Sequence, residues 1–105
     1  MSGLATPRVR VPRSVRAGEA FEVRTLIEHP METGLQGRAA PRDMLTRMTV
    51  RVNGEVALQA ELRNGTSANP YHVFFLKLDR TSELEFAWVD ERGRTARATA
   101  RVVVG

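Results

Sequence analysis

The sequence predicts an all-β chain, an immunoglobulin/fibronectin-like antiparallel β-sandwich of about seven strands. Three observations carry this expectation. In segment after segment apolar residues recur at every second position, the period of a half-buried strand. Turn signals interrupt these segments roughly every ten residues, the spacing of sandwiches and barrels. No segment of helical length carries apolar residues at the spacing of an amphipathic helix.

The chain has 105 residues, 42% hydrophobic and 27% charged. That size and balance predict a single β-sandwich domain over residues 1–105, with residues 1–7 as a flexible N-terminus. Residues 8–12 alternate and read as a short edge strand, where Pro12 is tolerated because an edge residue need not donate to the ladder. Residues 20–29 form the next strand, with Phe21, Val23, Thr25 and Ile27 facing the core. Residues 30–41 lack periodicity, and a connection of that length in a small domain is usually functional or mobile. Residues 30–45 are therefore expected to form a mobile recognition segment. Residues 46–52 and 55–62 flank Asn53-Gly54, the strongest hairpin signal in the chain. In the second of these strands Val56, Leu58, Ala60 and Leu62 should point inward. Residues 83–89 place Leu84, Phe86 and Trp88 on one face. After the turn at Gly93, residues 95–104 alternate alanine and valine with threonine and arginine.

One strand departs from clean alternation. Residues 71–78 follow Asn69-Pro70, and Pro70 biases Asn69 towards extended geometry. Val73, Phe74, Phe75 and Leu76 are consecutive, so both faces of this strand are apolar. Lys77 decides which face is outward, since a lysine is rarely buried unpaired. Tyr71, Val73 and Phe75 share its face, and Phe74, Leu76 and Leu78 point inward. A contiguous exposed apolar patch marks an interaction site, so the outer face of this strand is the expected heart of a protein interface. Met31 and Met44 join it as candidate contacts, because methionine suits adaptable surfaces; loop packing is the alternative for both.

Composition narrows the chemistry. The chain has no cysteine, which removes disulfides, thiolate metal sites and any covalent sulfur chemistry on its own side chains. The net charge is +4 and Lys77 is the only lysine. The arginines are scattered rather than focused, so nucleic-acid binding is not expected. Nor is membrane insertion, because no stretch approaches the length of a span. No catalytic constellation is present: Thr66 and Ser67 lack a nucleophile elbow, and Glu83, Glu85, Asp90 and Glu91 read as strand and turn charges. His29, Glu32 and His72 could form an open metal site only if the fold gathered them; ordinary rim histidines are the plainer alternative. Asn64-Gly65-Thr66 matches a glycosylation acceptor formally, on a short and common pattern. No enzyme activity and no cofactor are expected.

Residues 24–34 (RTLIEHPMETG), Pro41-Arg42, residues 67–71 (SANPY), Phe74-Phe75 and residues 86–90 (FAWVD) together resemble the SoxZ family, over residues 8–102. The resemblance implies an immunoglobulin-like sandwich, the cysteine-free subunit of the SoxYZ carrier of bacterial thiosulfate oxidation. It implies a heterodimer with a SoxY-like subunit that bears sulfur intermediates on a cysteine, and transient contacts with other sulfur-oxidation proteins. It also implies a periplasmic location, with export directed by the partner's signal. No catalytic residue is carried over. The alternative class is a free-standing immunoglobulin-like binding or adhesion module.

Overall fold

The computed structural model describes residues 4–31, 42–62 and 66–105. Eight strands run in the order β1 (Arg8–Arg10), β2 (Ser14–Val15), β3 (Phe21–Leu26), β4 (Leu45–Val52), β5 (Glu55–Glu61), β6 (Tyr71–Leu76), β7 (Ser82–Asp90) and β8 (Thr95–Val104). They form two sheets, β1-β3-β6 and β2-β8-β7-β4-β5, packed as a sandwich.

The eighth strand is the addition to the expected seven. Pro12 ends β1 and the chain crosses to the other sheet, where Ser14 and Val15 pair in parallel with Val103 and Val104. The Val103 and Gly105 amides donate to the carbonyls of Arg13 and Val15. The sheet is therefore mixed rather than purely antiparallel. Two residues are too few to show a period, so nothing local announced this strand.

The core is built by size complementarity across one ladder. Leu84, Phe86 and Trp88 of β7 stand opposite Ala100, Ala98 and Ala96 of β8 on one side, and opposite Val52, Val50 and Met48 of β4 on the other. The alanines leave room for the large rings beside them, and the ring residues are buried in the core cluster. Phe86 and Trp88 are buried, as are Val23 and Ile27 from the opposite sheet. The Asn53-Gly54 hairpin forms as expected: both residues have positive φ, 50° and 86°, as a primed two-residue turn needs.

Val56 departs from expectation and is 51% exposed. A β-bulge is the reason. Leu58 pairs with Val50 but Val56 pairs with Arg51, so Ala57 is the extra residue and the alternation flips beyond it. Val56 consequently shares the outer face of Arg51.

In the N-terminal segment, Leu4 packs against the core and Pro7 is buried. Residues 32–41 of the long connection lie outside the described residues, as does Asn64-Gly65.

Truncating Phe86 to Ala should open a cavity in the centre of this ladder. We expect a loss of about 3–5 kcal/mol, read as a lower midpoint in urea unfolding with an unchanged slope. A change under about 1 kcal/mol would mean that the ring is not enclosed as described.

Candidate partner interface

The site is built on β6, and its position is set at one end of the sandwich. Asn69 holds a left-handed backbone, φ 51°, rather than the extended geometry expected before Pro70. Pro70 does disfavour the right-handed helical region for Asn69, and asparagine tolerates the left-handed one. The gain is a three-bond strap: the His29 amide donates to Asn69 Oδ1 at 2.9 Å, the Asn69 amide donates to the His29 carbonyl at 2.7 Å, and the Ile27 amide donates to the Pro70 carbonyl at 3.2 Å. β6 enters its ladder with β3 in a fixed register.

The same end gathers charges. His29 is buried, 4% exposed. Its Nδ1 accepts the Met31 amide at 3.0 Å, which stabilises Met31 at φ 48°, a conformation costing about 1–3 kcal/mol for such a residue. Its Nε2 lies 3.3 Å from Asp43 Oδ1. Asp43 also accepts Arg94 Nη2 at 2.9 Å, and Arg94 Nε donates to Asp90 Oδ2 at 2.5 Å. Asp90 closes the β7–β8 turn by accepting the amides of Arg92 and Arg94. Arg42 forks onto Glu91, with both Nε and Nη2 at 2.9 Å from its carboxylate. Asp90 and Glu91 are thus structural turn charges. Burial alone would raise the Asp90 carboxyl; the Arg94 side chain and the two turn amides outweigh it and hold the pKa below the usual range.

Met31 and Met44 belong to this buried end, 6% and 2% exposed. Of the two readings of these methionines, loop packing or partner contact, their burial fits loop packing and corrects the expectation of an exposed contact. Two bonds hold them there: the Met31 amide donates to the buried His29 ring, and the Glu91 amide donates to the Met44 carbonyl, holding residue 44 against the β7–β8 turn. Among the described residues no group of three or more His, Asp or Glu side chains is placed to hold a metal ion. His29 faces Asp43, and Glu32 lies outside the described residues. His72 is half-buried on the inner side of β6, and burial pushes its pKa down.

β6 itself lies at the edge of the three-stranded sheet, and among the described strands it pairs with β3 alone. Phe74 and Leu76 pack against the core and Leu78 is buried. Tyr71, Val73 and Phe75 are exposed by 55%, 45% and 64%. Lys77 is exposed beside them. The outer face continues across the ladder: Tyr71 is level with Leu26 and Arg8, Val73 with Arg24 and Arg10, and Phe75 with Glu22. Arginines that are scattered in the sequence therefore meet on one face beside the apolar row. Arg24 is held by Glu22, and its pKa is raised first by that hydrogen bond and further by Tyr71. Sequence periodicity could expose the apolar row but not the arginine row, which depends on β1 pairing with β3.

The fold and this face define an immunoglobulin-like sandwich module with an open apolar edge strand. The sequence model of the family "Sulphur oxidation protein SoxZ" matches residues 9–101. The chain belongs to the SoxZ family. Among solved structures it is similar to the superoxide reductase (neelaredoxin) of Ignicoccus hospitalis, with 20% identity over 97% of this chain and 82% of that one and a TM-score of 0.79. It is also similar to the sulfur carrier protein SoxY of Chlorobium limicola f thiosulfatophilum, with 13% identity over 96% and 80% and a TM-score of 0.69. The PKD domain of an M14-like peptidase from a Thermoplasmatales archaeon is 13% identical over 96% and 94%, with a TM-score of 0.67. At these identities the likeness is one of fold. No curated protein matches the chain in sequence at a significant level.

Acid should loosen this end in two stages. His72 has a lowered folded pKa, so its contribution is complete above the unfolded value near 6.5 and is lost as pH falls below it. Asp90 is also depressed, so its contribution survives to about pH 4 and is lost below that. Urea midpoints measured from pH 8 to pH 2 should show both declines. His72→Gln should remove the upper one and Asp90→Asn the lower, the latter at a cost of about 2 kcal/mol at neutral pH. A wild-type profile flat from pH 8 to 3 would contradict both assignments.

Proposed function

We propose that this chain is the non-catalytic subunit of a heterodimeric sulfur carrier in thiosulfate oxidation, paired with a SoxY-like subunit. The observation that carries the proposal is the family match over residues 9–101 in a chain without cysteine. A carrier of sulfur intermediates needs a thiolate to attach them, so attachment falls to the partner. This chain's part is to hold that partner and present it to the pathway's other proteins. The holding surface is the row Tyr71, Val73 and Phe75. Covering a side chain such as Phe contributes roughly 1.5–3 kcal/mol, and aromatic anchors of this kind dominate interface energies. Family membership also supports a periplasmic site of action, with export alongside the partner.

Phe75→Glu in the co-expressed pair tests the proposal. The isolated variant should keep its thermal midpoint, since Phe75 is 64% exposed in the free chain. Heterodimer affinity should fall by at least about thirtyfold, the equivalent of a 2 kcal/mol anchor. If the midpoint collapses while the remaining folded protein binds normally, Phe75 serves the core and the proposed surface is wrong. Removing the export signal from the partner should leave this chain in the cytoplasm; continued periplasmic delivery would contradict co-export.

A further inference from the structure

The backbone of β6 adds a second feature to its apolar face. In an antiparallel pair, facing residues alternate between those that exchange both hydrogen bonds and those that exchange none. The Ile27 amide donates to the Pro70 carbonyl, one step beyond the pair Leu26–Tyr71. This sets the phase of the ladder. Thr25–His72, Val23–Phe74 and Phe21–Leu76 are the bonded pairs, so His72, Phe74 and Leu76 spend their amides and carbonyls on β3. Tyr71, Val73 and Phe75 turn theirs the other way, towards the open edge. The three residues with exposed side chains are therefore also the three with unused backbone donors and acceptors among the described residues.

The other sheet edges are blunted. β1 is three residues long and carries Arg8 and Arg10 outward. β2 has two residues. β5 is flanked by Glu55 and Glu61 with Gln59 between. β6 has charge only beyond its end, at Lys77, and Pro70 precedes its start. Proline and lysine are the usual guards of an edge strand; here they bracket an unguarded interval of six residues, the length of an average strand.

We infer that the SoxY-like partner docks by adding an edge strand to β6, so that the sheet β1-β3-β6 continues into the partner. This rests on the reading of the chain as the partner-holding subunit of a sulfur carrier. The occupant is chosen on two grounds. The solved SoxY structure matches this fold over 96% of this chain, so a partner of that fold brings sheet edges of its own. A strand added at this edge also lays its side chains beside Tyr71, Val73 and Phe75, covering the apolar row while satisfying the backbone; main-chain bonds give affinity and alternate side chains give specificity in this mode of recognition.

The test is residue-resolved amide exchange by NMR on this chain, free and in the co-expressed heterodimer, combined with Val73→Pro. In the free chain the amides of His72, Phe74 and Leu76 should exchange slowly, and those of Tyr71, Val73 and Phe75 fast. In the heterodimer the second set should slow by at least about a hundredfold, as expected for amides that become hydrogen-bonded. Proline at 73 removes an amide that β3 does not use, so the isolated variant should stay folded and lose heterodimer formation. If that variant does not fold, the wild-type exchange pattern decides alone. A heterodimer whose Val73 and Phe75 amides exchange as in the free chain overturns the inference but leaves the carrier reading intact. Slow edge amides in a free chain that sediments as a homodimer also overturn it, with a second copy as the occupant. Absence of any heterodimer overturns both.

Discussion

The register of β6 on β3 is the constraint on which the rest depends. Side chains along a strand alternate faces, so a slip of one residue would send Val73 and Phe75 into the core and bring Phe74 and Leu76 out. In most strands the apolar pattern itself forbids such a slip. Here both faces are apolar, and hydrophobicity alone separates the two registers poorly. The decision passes to the strap at residues 69–70, where a left-handed Asn69 ties itself to both polar backbone groups of His29. Lys77, kept outside by the cost of burying a lone charge, agrees from the other end of the strand. Two local devices thus fix which face belongs to the core and which is left exposed.

The end network extends that control. His29 joins the strap to Met31 and Asp43, and Asp43 joins it through Arg94 to the buried carboxylate of Asp90. The β3–β6 entry and the β7–β8 turn, which belong to opposite sheets, thereby meet: Arg94 makes charge-assisted bonds to Asp43 and Asp90, and His29 lies against Asp43. Such bonds depend on geometry, and a partly buried one is worth more than an exposed pair. The end that anchors β6 is consequently the polar, specific end of the molecule, while the Trp88–Phe86–Leu84 ladder supplies the nonspecific burial.

Much of the fold was legible because period and burial coincide. Phe21, Val23, Thr25 and Ile27, and likewise Leu84, Phe86 and Trp88, face the core as their spacing requires. Asn53-Gly54 and Gly93 turn where their φ freedom predicts. What sequence could not give were features set by pairing. The bulge at Ala57 reversed Val56, the parallel β2 strand is too short to carry a pattern, and Met31 and Met44 are buried by partners distant in sequence. The exposed trio was legible through Lys77, but its free backbone edge needed the ladder. The resemblance in the short motifs corresponds to the family match over residues 9–101.

The same sandwich underlies a superoxide reductase, a sulfur carrier and a peptidase's PKD domain, so architecture alone assigns no function. This chain combines the absence of cysteine with an exposed apolar row on an edge strand. The most direct measurement is the intact mass of both subunits of the purified heterodimer after turnover with thiosulfate and the pathway's oxidising enzymes. The account predicts sulfur-containing mass additions on the cysteine-bearing partner and none on this chain. A stable sulfur adduct on this chain would contradict it.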